Sequence, residues 1–413
     1  MSRQTNFSAD LILVCNSLDA GGIERVVSTL ANEWSRRGRK VSVVMLHDRR
    51  RFFALDPAVH HVVIDRVGLT WIAEGLKKLK SRIAEFRVAR PWLIALFGWP
   101  LYHLFAEHFY SLNFRLFIEY ESWVLRRALR RIESPVVVSF GTSINIITLR
   151  ACEGMGRRVI ISERNDPRRL VRFGLWDLMW RKHYRSADLV TANTRGALLD
   201  MGDYVEPEKL AFVPNPLVFE NGNGRARPSS TPFFLTVGRL VRDKAHDVLL
   251  DAFALLGEEM AEWRLAVVGD GRMREALKSQ ATNLGIAKRI DWHGIVQEPH
   301  VLYGSASIFA MPSRVEGMPN ALLEAMSCGL PVVVSDGAPG PLELVEDEVT
   351  GLVVPVNDAV ALAAALRRLA DDPSLCYRLG KAARERVAEY ELPQAMAQWE
   401  SVIGLPTMAT EAV

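Results

Sequence analysis

The stretch Pro312-Ser-Arg-Val-Glu-Gly-Met-Pro-Asn-Ala-Leu-Leu-Glu-Ala-Met-Ser-Cys-Gly-Leu-Pro-Val-Val-Val-Ser335 reads as loop, helix and strand, and it follows the apolar run Ile308 to Met311, which reads as a buried strand. Pro319 is expected just inside the start of the helix, where its missing N–H is no loss. Gly329 can take left-handed backbone and so end the helix, and Pro331 prevents continuation before Val332 to Val334 open the next strand. Two carboxylates then flank the helix start, Glu316 on the loop and Glu324 within the first two turns. In an open parallel sheet, ligands bind beyond the carboxyl ends of the strands, so helix-start N–H groups and a pair of acids face such a place. Because the chain has 48 acidic residues, this pair alone carries little weight, and solvent-facing helix glutamates are the alternative.

Working outward, 413 residues suffice for two domains of about 200 residues, each with its own core. An apolar fraction of 49% with 24% charged residues describes an ordinary globular chain, and a net charge of +3 argues against a nucleic-acid partner. Cys15, Cys152, Cys328 and Cys376 are scattered with no C-x-x-C pair, which suggests reduced thiols in the cytoplasm and no metal site. The first apolar run, Leu11 to Cys15, is too short for a signal peptide.

That run reads as a strand, and Asp19-Ala-Gly-Gly-Ile-Glu-Arg25 turns it directly into a helix. Ile23, Val26, Val27, Leu30, Ala31 and Trp34 recur at helical spacing, with Glu24 near the positive end, Arg36 and Arg37 near the negative end and Gly38 as the stop. Val41 to Leu46 completes a βαβ unit. Gly21 and Gly22 either let N–H groups approach a phosphate or serve a tight turn only. Their spacing is not G-x-G-x-x-G, which weighs against a nicotinamide oxidoreductase. Residues 66–131 differ from the rest. Eleven aromatic side chains stand between Pro91 and Trp123, bracketed by Lys77, Lys78, Lys80 and Arg82 and by Arg126, Arg127, Arg130 and Arg131. The uncharged run from Pro91 to Ala106 is shorter than the ~20 residues of a spanning helix and contains Pro100, so it suits either an anionic membrane surface or a pair of core helices. Val136 to Asn145 and Val159 to Pro167 are two further strand-to-loop transitions; Glu163 and Arg164, at the second, hold acceptor hydroxyls or a phosphate, or form a structural ion pair.

In the second half, Phe233-Phe-Leu-Thr-Val-Gly-Arg-Leu-Val-Arg-Asp-Lys-Ala-His246 opens a new α/β unit in which Arg239 and Lys244 follow the first strand closely. Cations there stabilise an anionic leaving group, the alternative being simple solvation. Gly269-x-Gly271 reads as a turn, and His293 as a strand-end histidine rather than a catalytic one.

Glu316 and Glu324 with the intervening Gly-Met-Pro-Asn-Ala-Leu-Leu, together with Gly238-Arg239 and Lys244, resemble the E-x7-E and G-R-x4-K signatures of GT4-type retaining, nucleotide-sugar-dependent glycosyltransferases of the GT-B fold. The resemblance covers nearly the whole chain and is strongest from 233 to 355. It implies two Rossmann-like, doubly wound parallel-sheet domains facing across a cleft: an acceptor-side domain over 1–219, a linker over 220–232, a nucleotide-sugar domain over 233–390, and a helix within 391–413 crossing back to the first. It further implies that Arg239 and Lys244 take leaving-group charge, that Glu316 sits near the donor sugar, that Glu324 accepts from ribose hydroxyls, and that Gly317, Met318, Pro319 and Asn320 orient sugar and phosphate. Gly21 and Gly22 resemble the family's glycine-rich turn facing the diphosphate. The implied reaction moves a sugar, most often from UDP, to a lipid-linked glycan at the membrane with retention, without metal or other cofactor. Two departures stand out: Glu163-Arg164 replaces a histidine common at that point, and Ala245 replaces glycine or asparagine, a change that matters only if positive φ is required there. A sugar-nucleotide epimerase on the same fold and a non-catalytic membrane-associated partner are the rival readings.

Overall fold

The computed structural model describes residues 7–47, 52–64, 115–165, 180–218, 230–297 and 299–405. Most of the aromatic and basic segment (66–131) and of the interdomain stretch (220–232) therefore lies outside the described residues. The first half builds a wholly parallel seven-stranded sheet from β2 (Leu11–Cys15), β3 (Val41–Met45), β4 (His60–Val63), β6 (Val136–Phe140), β7 (Arg158–Glu163), β8 (Leu189–Ala192) and β9 (Leu210–Phe212), in the order β4-β3-β2-β6-β7-β8-β9. A short parallel pair, β1 (Phe7–Ser8) with β5 (Ile132–Glu133), flanks it. The second half repeats the plan with six parallel strands: β10 (Phe233–Val237), β11 (Arg264–Val268), β12 (Ile290–Gly294), β13 (Ile308–Met311), β14 (Val332–Ser335) and β15 (Leu352–Val354). Their order is β12-β11-β10-β13-β14-β15. Counted along the chain, the first sheet follows the doubly wound order 3-2-1-4-5-6-7 and the second 3-2-1-4-5-6, with a switch point between β2 and β6 in one and between β10 and β13 in the other.

The central strands are near-continuous apolar runs because both faces of each sheet are covered there. All five residues of β2, β3 and β6 are buried, as are all four of β13 and β14. Helix α1 (Gly22–Arg36) buries Val26, Val27, Leu30, Ala31 and Trp34 of the stripe read from the sequence against β2 and β3, with Ile23, at its start, partly buried. The same core receives Met396, Trp399 and Ile403 from the helix Leu392–Ile403, beyond the whole second domain in sequence. Trp399 meets Trp34 edge-on, with ring centroids 6.4 Å apart, and Arg158 donates to the carbonyls of Ile403 (2.6 Å) and Val402 (3.2 Å). Glu400, fully buried, faces Arg37 at 3.4 Å. The last helix is thus part of the first domain's core.

Two local details differ from the sequence reading. Pro319 stands one residue outside its helix, which runs Asn320–Ser327: its backbone is extended (φ −82°, ψ 114°), and it starts the helix through its carbonyl, which accepts from the N–H groups of Leu322 and Leu323. Gly269 is more than a turn residue. At φ 136°, a Cβ there would lie 1.9 Å from the carbonyl oxygen of Gly238, so glycine is what lets the loop after β11 pack beneath the loop after β10.

Candidate functional site

The second switch point gathers the basic and acidic residues singled out above. Arg239 follows β10 by two positions and is exposed, while Lys244 closes a single turn (Arg242–Lys244) and forms an ion pair with Glu316, on the loop after β13. Glu316 is 8% exposed and also accepts from Ser313 Oγ at 3.1 Å. What holds the two loops in register is Arg314. Its guanidinium grips both oxygens of Asp247 (2.9 and 2.7 Å) and the carbonyl of Arg242 (2.7 Å), and its backbone N–H donates to Asp243 (2.8 Å). Ala245 sits between these contacts in the left-handed region (φ 52°, ψ 35°). Positive φ is therefore required at the position where the family resemblance suggested glycine or asparagine. His246, next in sequence, is 5% exposed; burial first, and the charge of Lys244 second, push its imidazole down to about 4.

Across the cleft, α1 begins at Gly22, and among the described residues neither its N-cap, Gly21, nor Pro319, the N-cap of the helix Asn320–Ser327, provides a side-chain cap. The two starts meet directly, because Asn320 Nδ2 donates to the carbonyl of Gly22 at 3.2 Å. A second bridge joins the same helices: Arg25, in the first turn of α1, pairs with Glu324, a residue only 4% exposed. Burial raises the Glu324 pKa above the ordinary carboxylate value, against the opposing pull of Arg25 and Tyr303. Two helix N-termini, one from each domain, thus converge on the cleft where a phosphate would be favoured.

Glu163 and Arg164 have a different setting from either role considered for them. Glu163 is fully buried, and its carboxylate accepts from Thr142 (2.9 Å), Tyr184 (2.7 Å) and the backbone N–H groups of Arg164 (3.0 Å) and Asn165 (3.1 Å). Burial pushes its pKa up despite these donors. Arg164 does not close a side-chain ion pair with it. Its guanidinium instead donates to Ser162 (2.8 Å), the carbonyl of Val213 (3.0 Å) and Asn215 Oδ1 (2.9 Å), and stacks over Trp399 at 5.0 Å, burial pulling its pKa down to about 9. Both are framework residues facing inward.

Asn215 is one of two residues that sequence reasoning missed. Held by Arg164, it donates from Nδ2 to the carbonyl of Met318 (2.9 Å) and to Asn320 Oδ1 (2.7 Å), and its N–H faces Met318 Sδ at 3.4 Å. A chain of hydrogen bonds therefore runs from the interior of the first domain through Asn215 to the loop of the second and back to Gly22. Gly317 completes the fit: a Cβ there would stand 2.5 Å from the carbonyl oxygen of Arg164. The only available signal was Asn215's place between Pro214 and Pro216, just past a strand end, and proline there marks a turn without naming its target. Arg25 was missed because it reads as one more surface arginine on a helix.

Two family models divide the chain between them: the Glycosyl transferase 4-like domain over residues 21–216 and Glycosyl transferases group 1 over residues 220–386. The chain belongs to the GT4-type glycosyltransferases and has the GT-B fold. Among its relatives, the Campylobacter jejuni GalNAc-alpha-(1->4)-GalNAc-alpha-(1->3)-diNAcBac-PP-undecaprenol alpha-1,4-N-acetyl-D-galactosaminyltransferase is 26% identical over 392 residues, covering 94% of this chain and 96% of that one. The Mycolicibacterium smegmatis GDP-mannose-dependent alpha-(1-6)-phosphatidylinositol monomannoside mannosyltransferase is 35% identical over 184 residues, 42% of this chain and 47% of its own. The fold is shared with the crystal structure of Anabaena Alr3699/HepE in complex with UDP and glucose, at a TM-score of 0.74 and 16% identity over 96% of this chain and 99% of that one.

Proposed function

We propose that this glycosyltransferase moves a sugar from a UDP-sugar to a membrane-linked glycan, with retention at the anomeric carbon and without a metal. The observation that carries the reading is the convergence of Arg239 and the Lys244–Glu316 pair with two helix starts, one from each domain, whose N-cap residues Gly21 and Pro319 offer no capping side chain. A nucleoside diphosphate gathers negative charge as its bond to the sugar breaks, and fixed cations and oriented N–H groups stabilise that charge more than they stabilise the intact donor. In this reading Arg239 and Lys244 supply the cations. The N–H groups around Gly21, Gly22 and Gly317 to Asn320 orient phosphate and sugar, Glu316 lies beside the donor sugar, and Glu324 receives the ribose hydroxyls. The acceptor hydroxyl attacks from the leaving-group face; its proton passes to the departing phosphate oxygen as the new C–O bond forms.

Support for the donor comes from the UDP and glucose of the HepE complex, and support for the acceptor from the undecaprenol-diphosphate glycan in the name of the Campylobacter relative. Membrane contact is supported by the helical residues 115–129, where Leu116, Phe117 and Trp123 are exposed alongside Arg127 and, just past the helix, Arg130, while Ile118, Val124, Leu125 and Leu129 turn inward. Such a mixed apolar and cationic face suits the headgroup boundary of an anionic leaflet. Among the described residues no helix is long and apolar enough to cross a membrane, and attachment to the cytoplasmic surface is the arrangement we assign. The test is calorimetric titration of the protein with UDP, GDP and ADP, in parallel for the wild type and Arg239→Ala. Binding of UDP that is lost in the variant is expected; a protein that binds none of the three nucleotides refutes the reading.

A further inference from the structure

The half-buried ion pair between Arg25 and Glu324 joins two helix starts that the proposed reaction would separate by a nucleotide. Arg25 stands three residues beyond Gly22, on the side of α1 whose start touches Asn320. Its side chain is 23% exposed and that of Glu324 only 5%, so the carboxylate lies deep in the contact and the guanidinium at its mouth. A buried carboxylate needs compensation to remain charged, and here the first domain supplies it. A guanidinium presents its five N–H donors in a planar fork, so it can keep one edge on a carboxylate and offer another to phosphate oxygens.

We propose that Arg25 is a ligand for the donor diphosphate contributed by the first domain, and that Glu324 holds it poised at the cleft mouth while the site is empty. On nucleotide arrival the ribose hydroxyls come to Glu324 and the Arg25 guanidinium turns its outward edge to the phosphates. The pair is therefore exchanged, in whole or in part, for two new sets of hydrogen bonds, and no covalent step is involved. This makes the diphosphate the part of the donor that both domains grip: Arg239 and Lys244 from the second, Arg25 and the start of α1 from the first. A nucleoside without phosphates meets the opposite situation, because it competes with Arg25 for Glu324 and gives Arg25 nothing in return.

The inference rests on the nucleotide-sugar reading above, and the experiment separates the two. UDP and uridine are titrated into the wild type, Arg25→Gln and Arg25→Lys. Loss of one charge-assisted phosphate contact is expected to weaken UDP by about tenfold or more in Arg25→Gln. Uridine is expected to bind that variant as well as or better than the wild type, so that the UDP-to-uridine affinity ratio collapses. Arg25→Lys, which keeps the charge and guards against a variant that fails to fold, should retain a ratio between the two. Equal weakening of UDP and uridine in both variants would make Arg25 a structural clasp and overturn the proposal, as would UDP binding unchanged in Arg25→Gln. If the wild type binds neither ligand nor any other nucleoside diphosphate, the nucleotide-sugar reading fails and takes this inference with it.

Discussion

Replacing His246 with glutamine tests how the diphosphate-side loop responds to acid. His246 opens the helix His246–Leu255, and among the described residues neither of its ring nitrogens has a hydrogen-bond partner. Burial and the neighbouring Lys244 bring its pKa from 6.5 to about 4. The folded pKa is depressed, so the unfolded chain takes up a proton below pH 6.5 that the folded protein refuses until about pH 4. The stability this contributes is full above pH 6.5 and is lost progressively as pH falls through that window. Since the side chain is 5% exposed, solvent screening removes little of the effect. Between pH 7 and pH 4.5 the linkage relation gives a loss of about 2 kcal/mol from this one group. Urea denaturation of the wild type and His246→Gln at both pH values measures it: the carboxylates titrate in both proteins and cancel in the double difference, as does the baseline cost of the substitution. The wild type should lose about 2 kcal/mol more than the variant on acidification. If both lose the same amount, the buried neutral imidazole is not what sensitises this loop to acid.

Two further substitutions probe the fold. Ala245→Gly should be nearly neutral although it truncates a fully buried residue, because relief of about 1–2 kcal/mol of left-handed strain offsets one lost methyl at roughly 0.8 kcal/mol and about 0.4–1 kcal/mol of added unfolded-chain entropy; a urea midpoint showing a large loss would mean that the backbone at φ 52° is not strained. Trp399→Ala should destabilise the first domain by about 3–5 kcal/mol, the usual range for emptying a core aromatic site, since Trp399 fills the space between Trp34, Phe140 and Arg164. A loss too small to measure by denaturation would show that the last helix does not belong to that core.

The centres of both doubly wound sheets were legible because their strands are short apolar runs ending at glycine or polar residues, whereas the edge strand His60–Val63, two of whose four residues are histidines, carries no such signal and was not read. The stretch from Ile308 to Ser335 lies where it was read, with Gly329 in the left-handed region after the helix. The arrangement of the candidate site was legible where it is local in sequence: Arg239, Lys244 and Glu316 stand on two adjacent loops because β10 and β13 are neighbours across the switch point. It was not legible where meaning depends on the other domain. Asn215 and Arg25 act on residues 103 and 299 positions away, and nothing in their surroundings along the chain records those partners. Glu163 and Arg164 were misjudged for the opposite reason. Charged residues at a strand end suggest a cleft, whereas both lie beneath it, one satisfied by Thr142 and Tyr184 and the other by Asn215.

The position of the helix Leu392–Ile403 bears on how the protein is made. Its Met396, Trp399 and Ile403 fill the core built by residues near the opposite end of the chain, and they leave the ribosome only after every strand of the second sheet has been synthesised. The first domain, though translated first, cannot finish its core until then, so the usual order of co-translational folding is inverted for its last step. Until that helix docks, the ring faces of Trp34 and Phe140 await their partner Trp399. A nascent chain stalled within the second domain would present that apolar face to chaperones, and translation past residue 403 closes it.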